Sequence, residues 1–400
     1  MKKRIFISAH YMEIGGAEIS LIGLLNALDY SRVDVYLFLY QKKGELMSLI
    51  PNEVNILPEI PEYAFIESSI LDSFRKGYIR QAFARLKAKF KYRKWAKKNK
   101  PTNSEPYFQF MDNEIMPTLP DLYGLGEFDL AINFIGLRNM IPSKVKYRKC
   151  VSWIHTDLKH SNLNIELELA AWDRFDHIIS ISPDVTDAFL YNFPSLKTKV
   201  IEIENILSPK FVIERSSKDN VKPELKNYGG EIHLLSIGRY CYQKNYDNVP
   251  DICRRLVERG IDLRWFIIGF GIDEEKIKNK IAEAGMERHV ILLGKKTNPY
   301  PYIKACDVYV QPSRYEGKSV TVREAQMLGK PVVITDYNTA KSQVRNQLDG
   351  MIVPLDNEAC ANALEPILRD TSLQQKLSDY CLNHDFGNEA EIDKIYSLLS

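Results

Sequence analysis

The sequence predicts an α/β protein made of two Rossmann-like, doubly wound parallel-sheet domains that face each other. Three observations carry that expectation. Apolar, β-rich runs alternate with stretches of helical period through both halves of the chain. At 400 residues the chain is too long for one ordinary core, and two of roughly 200 residues each are the natural division. A polar stretch at 214–230 (ERSSKDNVKPELKNYGG), with Pro and paired Gly, separates the two series as a linker.

In the first half, KRIFISA at 3–9 is a buried strand. Gly15, Gly16, Ala17 and Glu18 follow, and then ISLIGLLNAL, whose apolar positions keep helical period. Strand, glycine turn and helix open a Rossmann-like unit in which glycines let backbone approach a phosphate. The full GxGxxG pattern is missing, so a dinucleotide fingerprint is unsupported, and a tight structural turn fits the same residues. Further strands are expected at 33–40, 54–57, 128–134, 149–154, 177–182 and 200–203. His155 ends the strand 149–154, on the rim where open α/β sheets bind ligands, although a single histidine is more often structural.

The second half repeats the pattern, with strands at 232–237, 263–268, 290–293, 307–310 and 331–335 and helices at 251–259 and 274–283. Gly269-Phe270-Gly271 follows a strand, but Glu274 stands where GxGxxG needs its third glycine. The stretch 312–333 (PSRYEGKSVTVREAQMLGKPVV) is the most informative. Val320, Arg323, Glu324, Met327 and Leu328 fall at helical intervals, with Glu316 in the loop before them. Gly317, Lys318, Ser319 and Val320 then present backbone N–H groups at a helix N-terminus, where anions bind. Two carboxylates beside an anion site suit a phosphorylated ligand with hydroxyls, such as a nucleotide sugar. A capped surface helix with solvated glutamates accounts for the same spacing.

Composition bounds the rest. A chain 45% hydrophobic and 26% charged describes a globular protein. Cys150, Cys241, Cys253, Cys306, Cys360 and Cys381 are scattered without CxxC pairing, as reduced thiols of a cytosolic protein are. The apolar run after MKKR is too short for a signal peptide, and no stretch approaches the ~18 apolar residues of a membrane span. No HxxxH or HEXXH pattern supports metal catalysis. Net charge is +2, yet residues 74–100 hold twelve Lys and Arg and no acid, leaving 42 basic against 52 acidic residues elsewhere. Within that segment Ile79, Phe83, Leu86 and Phe90 form one helical stripe amid the cations. This is the composition of an interfacial helix on an anionic membrane surface; a helix packed on its own domain by that stripe is the alternative. No nucleic-acid module accompanies the charge, so nucleic acid is not an expected partner.

Taken together, GGAE at 15–18, WIHTD at 153–157, GRYCYQKN at 238–245 and EGKSVTVRE at 316–324 resemble, in order, the motifs of the family 4 glycosyltransferases of the GT-B fold. The last two motifs are specific and the first two weaker, and residues 58–120 match none. The resemblance implies a first domain at 1–210 for the acceptor, a second at 211–382 for a nucleotide-diphosphate sugar, and a C-terminal helix within 383–400 that crosses back to the first. Arg239 and Lys244 would clamp the diphosphate, with Gly15 and Gly16 closing on it from the other domain. Glu324 would accept the ribose hydroxyls. Glu316 and His155 would lie against the donor sugar. Gly317, Lys318, Ser319 and Val320 would add phosphate or sugar contacts, and main chain at Gly294 and Lys295 would read the base.

Two fixed cations stabilise the charge growing on a departing nucleoside diphosphate, so the resemblance implies no metal and no other cofactor. It also implies retention of anomeric configuration, with the leaving phosphate taking the acceptor's proton and Glu316 acting electrostatically. The expected activity is transfer of a sugar, with UDP the first choice of nucleotide, to a glycan or lipid-linked acceptor in surface polysaccharide biosynthesis. The expected location is the cytoplasm, or the inner face of the cell membrane. A nucleotide-sugar epimerase or a non-catalytic relative are the alternatives.

Overall fold

The computed structural model describes residues 2–101, 106–155, 158 and 162–399. The chain divides into two compact units, Met1–Ile206 with Glu389–Ser400, and Leu207–Asn388.

In the first unit, β1 (Lys3–Ala9), β2 (Val33–Leu39), β3 (Asn55–Ile56), β4 (Glu127–Asn133), β5 (Lys146–Ile154), β6 (His177–Ser180) and β7 (Val200–Glu202) form one sheet. Their order is β3-β2-β1-β4-β5-β6-β7, and every pairing is parallel. Strands covered on both faces need apolar residues at successive positions, and Ile5, Phe6 and Ile7 of β1 are all fully buried. Chain order reverses between β1 and β4, and ligands of open α/β sheets bind beyond the strand ends at such a switch point. The terminal segment belongs to this unit: Ile395 is buried, and the Asp29 N–H donates to Tyr396 Oη at 2.6 Å.

Helix Ile79–Asn99 corrects one expectation about the first unit. It packs by Gln81, Ala82, Ala84, Arg85 and Ala88, which are buried. The stripe of Ile79, Phe83, Leu86 and Phe90 is exposed.

In the second unit, β8 (Ile232–Ile237), β9 (Leu263–Ile268), β10 (Val290–Gly294), β11 (Val308–Gln311), β12 (Val332–Thr335) and β13 (Met351–Val353) form a wholly parallel sheet. Its order is β10-β9-β8-β11-β12-β13, which puts the switch point between β8 and β11. The stretch 214–230 is no linker. It holds the end of helix Pro209–Ser216 and the helix Lys222–Lys226, and Val212, Val221 and Leu225 enter the core of this unit.

Candidate nucleotide-sugar site

The loops after β8 and β11 meet at the second switch point, and several contacts fasten them together. The Arg314 N–H donates to the Gln243 carbonyl at 2.8 Å, and Gln243 Nε2 donates to the Tyr315 carbonyl at 3.1 Å. Arg314 also grips both Asp247 carboxylate oxygens, at 2.9 and 3.1 Å, and Lys276 adds a bond of 2.7 Å. Burial alone would raise the Asp247 carboxyl, but the bonds from Arg314 and Lys276 hold it below the ordinary carboxylate range.

Glycines let a third loop approach. A Cβ on Gly269 would come within 1.9 Å of the Gly238 carbonyl oxygen, and one on Gly271 within 2.3 Å of the Tyr240 oxygen. The Tyr240 N–H donates to the Phe270 carbonyl at 2.8 Å. Gly269 and Gly271 therefore seat the backbone that carries Arg239. Gly238 itself leaves room for Lys244, whose Cε would lie 2.9 Å from an added Cβ.

At the centre, Lys244 Nζ donates to Glu316 Oε1 at 2.5 Å. Ser313 Oγ donates to the same oxygen at 2.6 Å and Gln311 Nε2 at 3.3 Å, while Gln243 Nε2 reaches Oε2 at 3.1 Å. Both side chains are largely enclosed, at 15% exposure for Lys244 and 6% for Glu316. A carboxylate bound by four donors has a fixed position. Arg239 stands exposed on the adjoining loop.

The other expected residues fall as follows. Glu324 lies on helix Val320–Met327 at 2% exposure and accepts from Tyr300 Oη at 2.7 Å. Burial pushes its carboxyl up to about 7, against the opposing bond from Tyr300. Gly317 and Lys318 lie in the loop that leads into this helix, whose N-cap is Ser319 and whose first residue is Val320. The Ser319 N–H donates to Gln343 Oε1 at 3.1 Å, so this amide, expected to face a ligand, is engaged by a side chain that the sequence did not single out. The Gly294 carbonyl accepts from the Gly269 N–H at 3.0 Å, and Lys295 Nζ lies 4.8 Å above the Phe270 ring.

Gly15, Gly16 and His155 belong to the first unit. Gly15 caps helix Gly16–Ala27, and a Cβ there would meet the Glu18 carboxylate at 2.2 Å. His155 Nε2 is 2.9 Å from the Phe134 carbonyl, which makes Nε2–H the donor and leaves Nδ1 the lone pair. Nδ1 is buried and has no partner among the described residues. Burial pushes the His155 ring down to about 4, so it is neutral at pH 7. Thr156 and Asp157 of the same motif lie outside the described residues. Among the described residues, no cluster of three His, Cys, Asp or Glu is arranged to hold a metal ion.

Sequence reasoning missed Gln243, Gln311, Ser313, Arg314, Asp247 and Gln343. Gln243 lies inside a motif the sequence did flag. The others carry no signal without the sheet order.

Known proteins resemble this chain in sequence and in fold. Residues 217–383 match the family model of the glycosyl transferases group 1. An Escherichia coli UDP-Gal:alpha-D-GlcNAc-diphosphoundecaprenol alpha-1,3-galactosyltransferase is 29% identical over 40% of this chain and 43% of its own length. A Campylobacter jejuni N-acetylgalactosamine-N,N'-diacetylbacillosaminyl-diphospho-undecaprenol 4-alpha-N-acetylgalactosaminyltransferase is 29% identical over 36% of this chain and 39% of its own. The chain thus spans about two fifths of the length of these curated relatives. Among solved structures, Anabaena HepE in complex with UDP and glucose superposes with a TM-score of 0.71 at 15% identity, over 99% of both chains. Staphylococcus aureus TarM superposes with a TM-score of 0.67 at 12% identity, over 100% of this chain and 99% of its own. Residues 217–383 thus resemble the glycosyl transferases group 1 family, and the chain has the GT-B fold.

Proposed function

We propose that this protein is a retaining, metal-independent glycosyltransferase that moves a sugar from a UDP-sugar to a lipid-linked or glycan acceptor in surface polysaccharide biosynthesis. The observation that carries the reading is the Lys244–Glu316 pair at the switch point of the second sheet, with Arg239 on the adjoining loop. UDP in the HepE complex and the diphosphoundecaprenol acceptors named for two relatives support the choice of donor and acceptor.

In this reading the donor diphosphate lies between Arg239 and Lys244. Its negative charge competes with Glu316 for the Lys244 ammonium, so the cation is held ready at no cost in side-chain ordering. Glu316 keeps its bonds from Ser313, Gln311 and Gln243, and faces the positive charge that develops on the anomeric carbon. The leaving phosphate takes the acceptor's proton. His155, neutral with Nδ1 as acceptor, receives a sugar hydroxyl and does not donate a proton. Glu324 receives the ribose hydroxyls beside the bond that its Oε1 accepts from Tyr300. Gly294 and Lys295 read the base. The relatives' lipid-linked acceptors support a place at the inner face of the cell membrane.

A thermal-shift screen against UDP-, GDP- and ADP-sugars tests the donor. A ligand at a hundred times its Kd stabilises the folded state by about 2.7 kcal/mol. UDP-sugars should raise the melting temperature and Arg239→Ala should abolish the rise. No shift with any of the three classes would refute the reading.

A further inference from the structure

The feature that glycosyl transfer leaves unused is the outer face of helix Ile79–Asn99. At about 100° per residue, the buried set Gln81, Ala82, Ala84, Arg85 and Ala88 centres about 160° around the helix from Ile79, Phe83, Leu86 and Phe90. The helix is pinned by that inner set: Gln81 Nε2 donates to the Thr118 carbonyl at 3.0 Å, and Arg85 donates to Ser73 Oγ at 3.3 Å. The apolar residues therefore point straight outward, with Phe83 61% and Phe90 71% exposed. Phe74 extends the patch, its ring perpendicular to Phe83 at 5.3 Å.

Cations border this stripe on both sides. The same helical wheel puts Arg80, Lys87 and Lys94 along one edge and Lys89 and Arg93 along the other. Lys87 and Lys91 pair with Glu114. Arg80, Lys89, Arg93, Lys94, Lys97 and Lys98 have no carboxylate partner among the described residues. From Ile79 to Phe90 the stripe runs about 16 Å, parallel to the helix axis.

We propose that this face binds an anionic lipid surface, with the helix lying in the plane of the membrane, Phe83 and Phe90 sunk among the headgroups, and the two cationic edges on lipid phosphates. The charge favours lipid over a protein groove. A plane of anions engages both edges at once, whereas a groove that takes the apolar ridge must bury or pair each edge separately. Among the described residues, Glu114 is the only carboxylate paired with the cations of this helix. No helix among the described residues is long and apolar enough to cross a membrane, so attachment by this face is interfacial. The inference stands apart from the proposed reaction and holds for any catalytic role of the second unit.

The test is co-sedimentation of the full chain with phosphatidylglycerol–phosphatidylcholine vesicles and with pure phosphatidylcholine vesicles. Binding should need the anionic lipid and fall as salt rises. Phe83→Ser with Phe90→Ser should weaken it about tenfold or more while moving the melting temperature by only a few degrees, because both rings are mostly exposed. Arg80→Gln and Lys94→Gln should each weaken it about fivefold. Equal binding to neutral vesicles, or undiminished binding of the double Phe variant, would overturn the proposal. So would sedimentation velocity that finds a dimer which the double Phe variant converts to monomer and which ignores lipid.

Discussion

Replacing Glu316 with Gln removes one charge from the Lys244–Glu316 pair and nearly preserves shape. The amide can still accept from Lys244, Ser313 and Gln311 through one oxygen. Its NH₂ then opposes Gln243 Nε2, which already donates to Tyr315 and cannot turn without losing that bond. Lys244 is left as a largely enclosed ammonium without its counter-charge. Removing one partner of a fully buried pair costs about 3–5 kcal/mol, and the residual exposure of Lys244 reduces this to about 2–3 kcal/mol. For a unit of this size each kcal/mol moves the melting temperature by about 2–4 °C, so a drop of roughly 5–10 °C is expected. Adding Lys244→Met removes the stranded charge, and the double variant should recover about 2 kcal/mol relative to the sum of the singles. Urea unfolding of the four proteins measures this coupling. Additivity within about 0.5 kcal/mol would refute the buried-pair argument. Glu316→Ala is the harsher change, and its loss of activity must be measured below its lowered melting temperature.

Arg239→Ala should leave stability within about 0.5 kcal/mol while weakening UDP-sugar binding, read by calorimetry and urea unfolding together. Gly271→Ala should destabilise the loop that carries Arg239, because its Cβ would lie 2.3 Å from the Tyr240 oxygen; the expected loss is about 1–3 kcal/mol, with weaker donor binding beside it. Glu324 sets a pH dependence of opposite sign to an ordinary salt bridge. Its folded carboxyl titrates near 7 against an ordinary 4.5, so its contribution is full below about pH 4.5 and is lost as pH rises through 7. The size is about 3 kcal/mol, and stability measured across that range should fall less steeply in Glu324→Gln than in the parent. Equal slopes would show that Glu324 titrates normally.

The sheets were legible because strands buried on both faces must be apolar at consecutive positions, as in KRIFISA and LRWFII. β13 escaped notice because three residues, two of them only partly buried, give no period. The polar 214–230 stretch looked like a linker because its short helices anchor through a few residues only, Val221 and Leu225 among them. Lys244 and Glu316 stand out in the sequence as single residues, but their pairing does not. Lys244 and Glu316 are 72 residues apart, and only the adjacency of β8 and β11 makes them neighbours. The stripe on helix Ile79–Asn99 shows the same limit: periodicity tells which residues share a face, but not that Ala82, Ala84 and Ala88 would form the inner one.

Transfer itself is the central claim, and one reaction tests it directly. The protein is incubated with a UDP-sugar and a polyprenyl-diphosphate-linked monosaccharide, with and without a chelator, and the product's anomeric configuration is read by NMR. The account predicts an α-linked disaccharide, one UDP released per bond formed, and the same rate in the chelator. A β-linked product, a chelator-abolished reaction, or conversion of the donor with the acceptor untouched would contradict it.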